Sequence, residues 1–200
     1  MTRVIAGQAR GRRLQVPSAG TRPTTDRVRE SLFASLESVL LAEGRTWADV
    51  SVCDAYAGSG AVALEAWSRG AQRVCVIESA PRALKVIESN IDQVGAGTAV
   101  DVLSRSVAAV FSAPPVGGSF DVLFLDPPYE VPAEQVAGEL IAASEHGWLS
   151  PEAVVVVERS IRDEQVPLPA DDGFVEVKQR RYGESALWYG RFVVDEGGSQ

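Results

Sequence analysis

From residue 50 onward the chain alternates between two rhythms. The runs VSVCDAY (50–56), RVCVIES (73–79), TAVDVL (98–103), FDVLFLDPPY (120–129) and EAVVVVERS (152–160) are apolar almost throughout. Such runs predict strands buried on both faces. Between them, apolar residues recur every three or four positions. GAVALEAWSRG (60–70), APRALKVIESNIDQVG (80–95), a short segment near 106–111 and VPAEQVAGELIAASEHG (131–147) therefore read as helices. In the second of these, Leu84, Ile87, Ile91 and Val94 share one face. Strand–helix–strand units in series predict an α/β fold: a doubly wound, mostly parallel sheet with helices on both faces.

The two ends depart from this rhythm. VIAGQARGRRLQVP (4–17) predicts a β-hairpin, two short strands around a turn rich in Gly and Arg. RPTTDRVRESLFASLESVLLAEG (22–44) opens with Pro and two Thr cap candidates. It carries a stripe of Val28, Leu32, Leu36, Val39 and Leu40, and stops at Gly44. Near the other end, GFVEVKQRRYG (173–183) and ESALWYGRFVVD (184–195) alternate as antiparallel strands do, around a turn at Gly183. They are expected to add a hairpin to the sheet edge. The organisation predicted is a basic hairpin extension (1–21), one α/β domain (22–194) and a flexible tail, DEGGSQ (195–200).

Two hundred residues with a 46% hydrophobic fraction suit one soluble domain with a sizeable core. No stretch approaches the roughly 18 unbroken apolar residues of a membrane span, and the N-terminus has no apolar core after its charges, so no secretory signal is expected. Cys53 and Cys75 sit inside apolar runs and read as buried thiols of a reducing cytoplasm. The net charge of −8 speaks against a nucleic-acid partner until its distribution is considered. Residues 1–30 hold seven arginines against Asp26 and Glu30, a net +5, so the remainder of the chain carries −13. A basic patch on an acidic body can bind phosphates locally and repel them elsewhere. Arg10, Arg12 and Arg13 are its candidate contacts.

Two stretches carry chemistry. In DAYAGSGAVALEA (54–66), a strand ends at Asp54 and runs into Gly58-Ser59-Gly60 and a helix. Glycines permit a sharp turn and close approach of a ligand, and a helix N-terminus offers free N–H groups. Gly58, Gly60 and Ala63 fit G-x-G-x-x-A, and Glu78 closes the next strand where doubly wound folds place an acid for ribose hydroxyls. Asp54 discriminates between ligands. A carboxylate before the glycines would repel a pyrophosphate, but suits a positive amino group such as that of S-adenosylmethionine.

The second stretch is LFLDPPY (123–129), at the end of the fourth parallel strand. Two prolines cannot extend a sheet, because each lacks a backbone N–H. An [Asp/Asn/Ser]-Pro-Pro-aromatic tetrapeptide arises by chance in roughly 1% of chains this long. Ligands of open parallel sheets gather beyond the carboxyl ends of the strands, so Asp54 and Asp126 should share one rim. A planar amine conjugated to a ring is a poor nucleophile, because its lone pair is shared with the ring. Accepting hydrogen bonds from its N–H groups favours the pyramidal, reactive form. The Asp126 carboxylate and the Pro127 carbonyl, stiffened by Pro128, are such acceptors, and Tyr129 offers a flat face for a base to stack on.

Asp126-Pro127-Pro128-Tyr129 resembles motif IV of the exocyclic-amino methyltransferases. With TRPTTDRVRESLF, DAYAGSGAVALEAWSRGA and the late RRYGES, nearly the whole chain, from Arg3 to about Phe192, is similar to the RsmD family. That resemblance implies a Rossmann-like methyltransferase fold, S-adenosylmethionine as cofactor, and N2 of a guanine in 16S rRNA of the small ribosomal subunit as the acceptor. It further implies that Asp54, Tyr56, Gly58, Gly60 and Glu78 hold the cofactor. Arg22, Pro23 and Thr24 close over cofactor and base, and Asp126 to Tyr129 hold the flipped guanine. The family often has Asp-Leu-Phe where this chain has Asp54-Ala55-Tyr56. Many members place an acid after strand three, where this chain has Ser104-Arg105-Ser106. A monomer is the family default, and no metal is needed because S-adenosylmethionine already carries an activated methyl. Three rivals stay open on sequence grounds: adenine N6 or cytosine N4 as target, in RNA or DNA; a NAD(P)-dependent oxidoreductase; and an RNA-binding assembly factor that kept the fold without activity.

Overall fold

A computed structural model describes residues 2–17, 25–163 and 168–194, with backbone only at 176 and 177. The apolar runs become strands β3 (Ser51–Ala55), β4 (Arg73–Ile77), β5 (Val100–Leu103), β6 (Phe120–Leu125) and β7 (Leu149–Ser160). Between them lie helices α2 (Ala61–Arg69), α3 (Pro81–Val94), α4 (Val107–Phe111) and α5 (Ala133–Glu145). Before them come β1 (Thr2–Arg3), β2 (Arg13–Leu14) and α1 (Asp26–Ala42), and after them β8 (Phe174–Tyr182) and β9 (Ser185–Phe192). The large sheet has the order β5-β4-β3-β6-β7-β9-β8. Its first five strands are parallel, and β7–β9 and β8–β9 are antiparallel.

That order answers the two rhythms. β3 runs back to β4 and β5 on one side, and the chain then crosses to β6 and β7 on the other. The reversal falls between β3 and β6, and a crevice opens there beyond the carboxyl ends of the strands. Alternation along each strand feeds two cores. Val52, Val74, Val122, Phe124 and Val156 pack under α1, α2 and α3. Cys53, Cys75, Leu123, Leu125, Val155 and Val157 pack under α4 and α5. Cys53 and Cys75 are register partners, both buried as free thiols, and burial pushes the Cys53 thiol well up.

Several expected boundaries shift. The N-terminal hairpin pairs at Thr2–Arg3 and Arg13–Leu14 rather than through two strands within 4–17. Its long turn spends its polar groups on α2 instead of on a ladder. Glu65, fully buried, accepts from Ile5 N–H (2.6 Å), Ala6 N–H (3.0 Å) and Arg69 Nε (2.9 Å). Ser68 accepts from Ala9 N–H at 2.9 Å. Gly7 has φ +78°, and a Cβ there would lie 1.8 Å from the Ser68 carbonyl oxygen. The hairpin's Val4, Ala9 and Leu14 join the core beneath α1 and α2. Helix α1 begins at Asp26, and Thr25, one of the two Thr cap candidates, caps it by accepting from Val28 N–H. The C-terminal hairpin forms as expected, with β9 rather than β8 against β7. The tail at 195–200 lies outside the described residues.

Candidate active site

The loop after β3 is built by its own hydrogen bonds. Gly60 lies at φ +73° ahead of α2, and Tyr56 takes a left-handed φ of +60°, strained for a non-glycine residue. Glu78, beyond the end of β4, reaches this loop. One carboxylate oxygen accepts from Gly58 N–H at 2.9 Å, the other from Ser79 and Ala80 N–H at 2.7 and 2.8 Å. Gly58 and Glu78, singled out separately in the sequence, thus meet directly. Asn90 of α3 ties the loop to the hairpin, donating to the Ser59 and Gln15 carbonyls at 2.9 and 3.0 Å.

Asp54 sits deeper than its motif suggests. It is 2% exposed, and one carboxylate oxygen accepts from Ala63 N–H at 3.0 Å, in the first turn of α2. Burial foremost, and then the charge of Glu78, pushes its pKa up to about 8, against the Ala63 N–H and Arg29, which favour the ionised form. An acid held this way gains most from a nearby positive group.

A cavity of about 210 Å³ opens beside the loop. It is lined by Tyr56, Glu78, Ser79, Arg105, Ser106 and residues of α5, among others. The Tyr56 hydroxyl donates to Glu139, which is 4% exposed, at 2.8 Å, and Gln135 donates to the same carboxylate at 3.0 Å. Burial and this carboxylate raise the Tyr56 pKa.

Asp126 follows directly on β6 beside β3, its N–H 3.4 Å from the Ala55 carbonyl, whereas Asp54 pairs with Phe124 inside the sheet and lines neither cavity. Asp126, Pro127, Pro128 and Tyr129 line a second cavity of about 380 Å³, within the range of small-molecule sites. Its other walls come from α1 (Arg27, Val28), β7 (Glu158) and the β8–β9 turn (Arg181 to Ser185). Tyr129 is 59% exposed, so a face of its ring can meet a ligand. The segment after β6 serves both cavities, residues 126–130 the larger and Val131 the smaller.

Arg10, Arg12 and Arg13 are exposed on the hairpin. Arg12 donates to the Gln93 carbonyl at 3.3 Å, and none of the three lines either cavity. Arg22, Pro23 and Thr24 lie outside the described residues. Sequence reasoning assigned no role to Glu139, Glu158 or Arg181. Glu139 is one of three acids in α5 and Glu158 one of two in β7, and nothing local sets either apart. Arg181 lies in the RRYGES stretch, whose similarity was visible but whose place was not. Among the described residues, no group of three or more His, Cys, Asp or Glu side chains is placed to hold a metal ion. His146 ends α5, with its ring Nδ1 2.9 Å from the Ala142 carbonyl oxygen.

A glycine-rich turn after the first strand of a doubly wound sheet, an acid after the second and Asp-Pro-Pro-Tyr after the fourth define an S-adenosylmethionine-dependent methyltransferase. Known proteins agree. The family described as Conserved hypothetical protein 95 matches residues 2–191. Ribosomal RNA small subunit methyltransferase D of Escherichia coli (strain K12) is 36% identical over 170 residues, covering 84% of this chain and 80% of the relative. Its namesake in Haemophilus influenzae is 33% identical over 184 residues, covering 90% and 89%. A solved structure, a hypothetical protein of Thermus thermophilus, superposes with a TM-score of 0.77 at 32% identity, covering 94% of this chain and 98% of that one. The chain belongs to the family of ribosomal RNA small subunit methyltransferase D, RsmD.

Proposed function

We propose that this chain transfers a methyl group from S-adenosylmethionine to the exocyclic N2 of a guanine in 16S rRNA of the small ribosomal subunit. The observation that carries it is the Asp126-Pro127-Pro128-Tyr129 turn, which lines a 380 Å³ cavity one strand away from a buried acid and a glycine-rich loop. The family relatives named for small-subunit rRNA supply the substrate class.

The residues present fit the cofactor. Asp54, whose raised pKa marks a carboxylate short of positive partners, would meet the methionine ammonium. Glu78 would turn from the loop N–H groups to ribose hydroxyls, and Gly58, Gly60 and Tyr56 would wall the groove. When bound, S-adenosylmethionine supplies an activated methyl on sulfur. The protein's own part is positioning and electrostatics. The Asp126 carboxylate and Pro127 carbonyl accept the amino N–H groups and offset the charge that develops on nitrogen. Tyr129 stacks on the base, worth about 1–3 kcal/mol, and alignment contributes much of the rate. Arg10, Arg12 and Arg13 hold phosphates while the guanine leaves its stack, and Arg22, Pro23 and Thr24 are the residues proposed to close over cofactor and base.

One basic hairpin is a small docking area, so ribosomal proteins complete the recognised surface and the substrate is a particle. A cytoplasmic monomer is part of the same proposal. The test offers isotopically labelled S-adenosylmethionine with unmethylated small subunits, naked 16S rRNA or DNA, followed by nucleoside analysis. Labelled N2-methylguanosine, formed faster from particles than from naked rRNA, is expected. Label on adenine or cytosine, or none, overturns the assignment, and equal rates on particle and naked rRNA overturn the particle.

A further inference from the structure

Asp126, Glu130, Glu158 and Glu184 all line the cavity above the Asp-Pro-Pro-Tyr turn; of the three that transfer chemistry leaves without a role, Glu158 alone is buried. Glu158 lies one residue beyond the register pair Leu125↔Val157, and Asp126 occupies the same step on the neighbouring strand. Alternation places both on one face of the sheet. Phe124 and Val156, two residues earlier, belong to the core beneath α1, whereas Leu125 and Val157 face the opposite core. Arg27 and Val28 of α1 close this side of the cavity. Glu158 is 6% exposed while Arg27 and Arg181 are exposed, so the acid is the deep wall and the arginines are the mouth.

An ionised carboxylate only accepts hydrogen bonds, at about four lone-pair positions, so it can serve a ligand donor beside a partner within the protein. The bases differ in what they present beside the amine. Guanine carries a donor, N1–H. Adenine has an acceptor, N1, and cytosine an acceptor, N3. We infer that Glu158 is a specificity-determining residue that accepts the guanine N1–H beside the amine held by Asp126, and so turns away bases with a lone pair at that position. The inference rests on the methyl transfer proposed above. It adds a reason why a turn shared by enzymes for several amines would here serve guanine. A site built around a substrate N–H strongly rejects an analogue lacking it, because the site's polar group is left unpaired.

The test uses small subunits reconstituted with 2-aminopurine in place of the methylated guanine. This base keeps the 2-amino group but has an acceptor at N1. Wild type is expected to favour guanine in kcat/KM by at least about 10-fold. Glu158→Gln, whose amide can donate to N1, should bring the ratio to within about threefold with S-adenosylmethionine affinity unchanged. Loss of O6 in the analogue affects both enzymes alike and cancels in the cycle. A wild-type ratio near one overturns the inference, whether or not the variant folds. So does a ratio in folded Glu158→Gln equal to that of wild type. Failure of wild type to label guanine in unmodified subunits would instead overturn the function on which the inference rests.

Discussion

Asp54 and Asp126 belong to neighbouring strand ends with different proposed roles, and substitution should separate them. Asp54 is buried with a pKa of about 8, against about 3.9 in an unfolded chain. Between about pH 4 and 8 the folded protein therefore binds more protons at this site than the unfolded one, and ligand-free stability falls as pH rises through that window. Above about pH 8 both states are ionised and the slope vanishes. Asp54→Asn, whose amide oxygen can still accept from Ala63, should flatten thermal-melt midpoints between about pH 4 and 8. It should also weaken S-adenosylmethionine binding at least about 10-fold by calorimetry, the effect of losing one charged hydrogen bond. An unchanged slope would show that Asp54 is ionised in the free protein. Asp126→Ala should do the reverse, leaving cofactor affinity within about twofold and lowering single-turnover methyl transfer about 10²–10³-fold, the effect of losing one transition-state hydrogen bond.

At the scale of elements, the N-terminal hairpin has only four strand residues and is held by α2 rather than by its own ladder. The docking relies on Glu65 and Ser68, which take N–H groups from Ile5, Ala6 and Ala9, and on the absence of a side chain at Gly7. Gly7→Ala combines a disfavoured φ of +78° with a Cβ 1.8 Å from the Ser68 carbonyl oxygen. It should cost about 2–4 kcal/mol by denaturant unfolding. It should also reduce methylation of particles more than cofactor binding, because displaced arginines no longer meet phosphate. Equal loss of both would place the hairpin's influence at the cofactor loop, through Asn90. The hairpin was legible in VIAGQARGRRLQVP as two apolar flanks around Gly and Arg. Its docking was not, because Glu65 reads locally as one polar position of an apolar helix.

Over the whole molecule, charge is divided: +5 in residues 1–30 and −13 in the rest. On the proposed function, the acidic body would repel rRNA except where the hairpin leads, which would orient encounter as well as strengthen it. Arg10, Arg12 and Arg13 are exposed and line neither cavity. Replacing all three with Gln should weaken particle binding, and should lower the slope of log affinity against log salt by about 2 to 3. Single-turnover transfer at saturating particle should stay within about threefold of wild type. An unchanged salt slope would move phosphate docking to the cavity mouth at Arg27 and Arg181.

Some of this protein was set by neighbours in sequence. The sheet, its helices, the glycine turn and the Asp-Pro-Pro-Tyr strand end follow from hydrophobic period and from the backbone limits of Gly and Pro, which act over a few residues. What depends on distant segments meeting was decided only by the tertiary structure. The C-terminal hairpin was read only as two alternating strands at the sheet edge; in the fold β9, with its apolar run Ala186 to Tyr189, lies against β7, and β8, with Lys178, Arg180 and Arg181, forms the edge. Glu158 closes a valine run and reads as the polar end of a strand. It becomes a buried wall of the cavity that Asp126 lines because β6 and β7 pair in parallel with Leu125 opposite Val157, carrying the acid to the side of Asp126. Asp54 was recognisable as an acid before a glycine turn. How deeply it is buried, and hence the charge it carries when no ligand is near, depends on helices that pack over it from elsewhere in the chain.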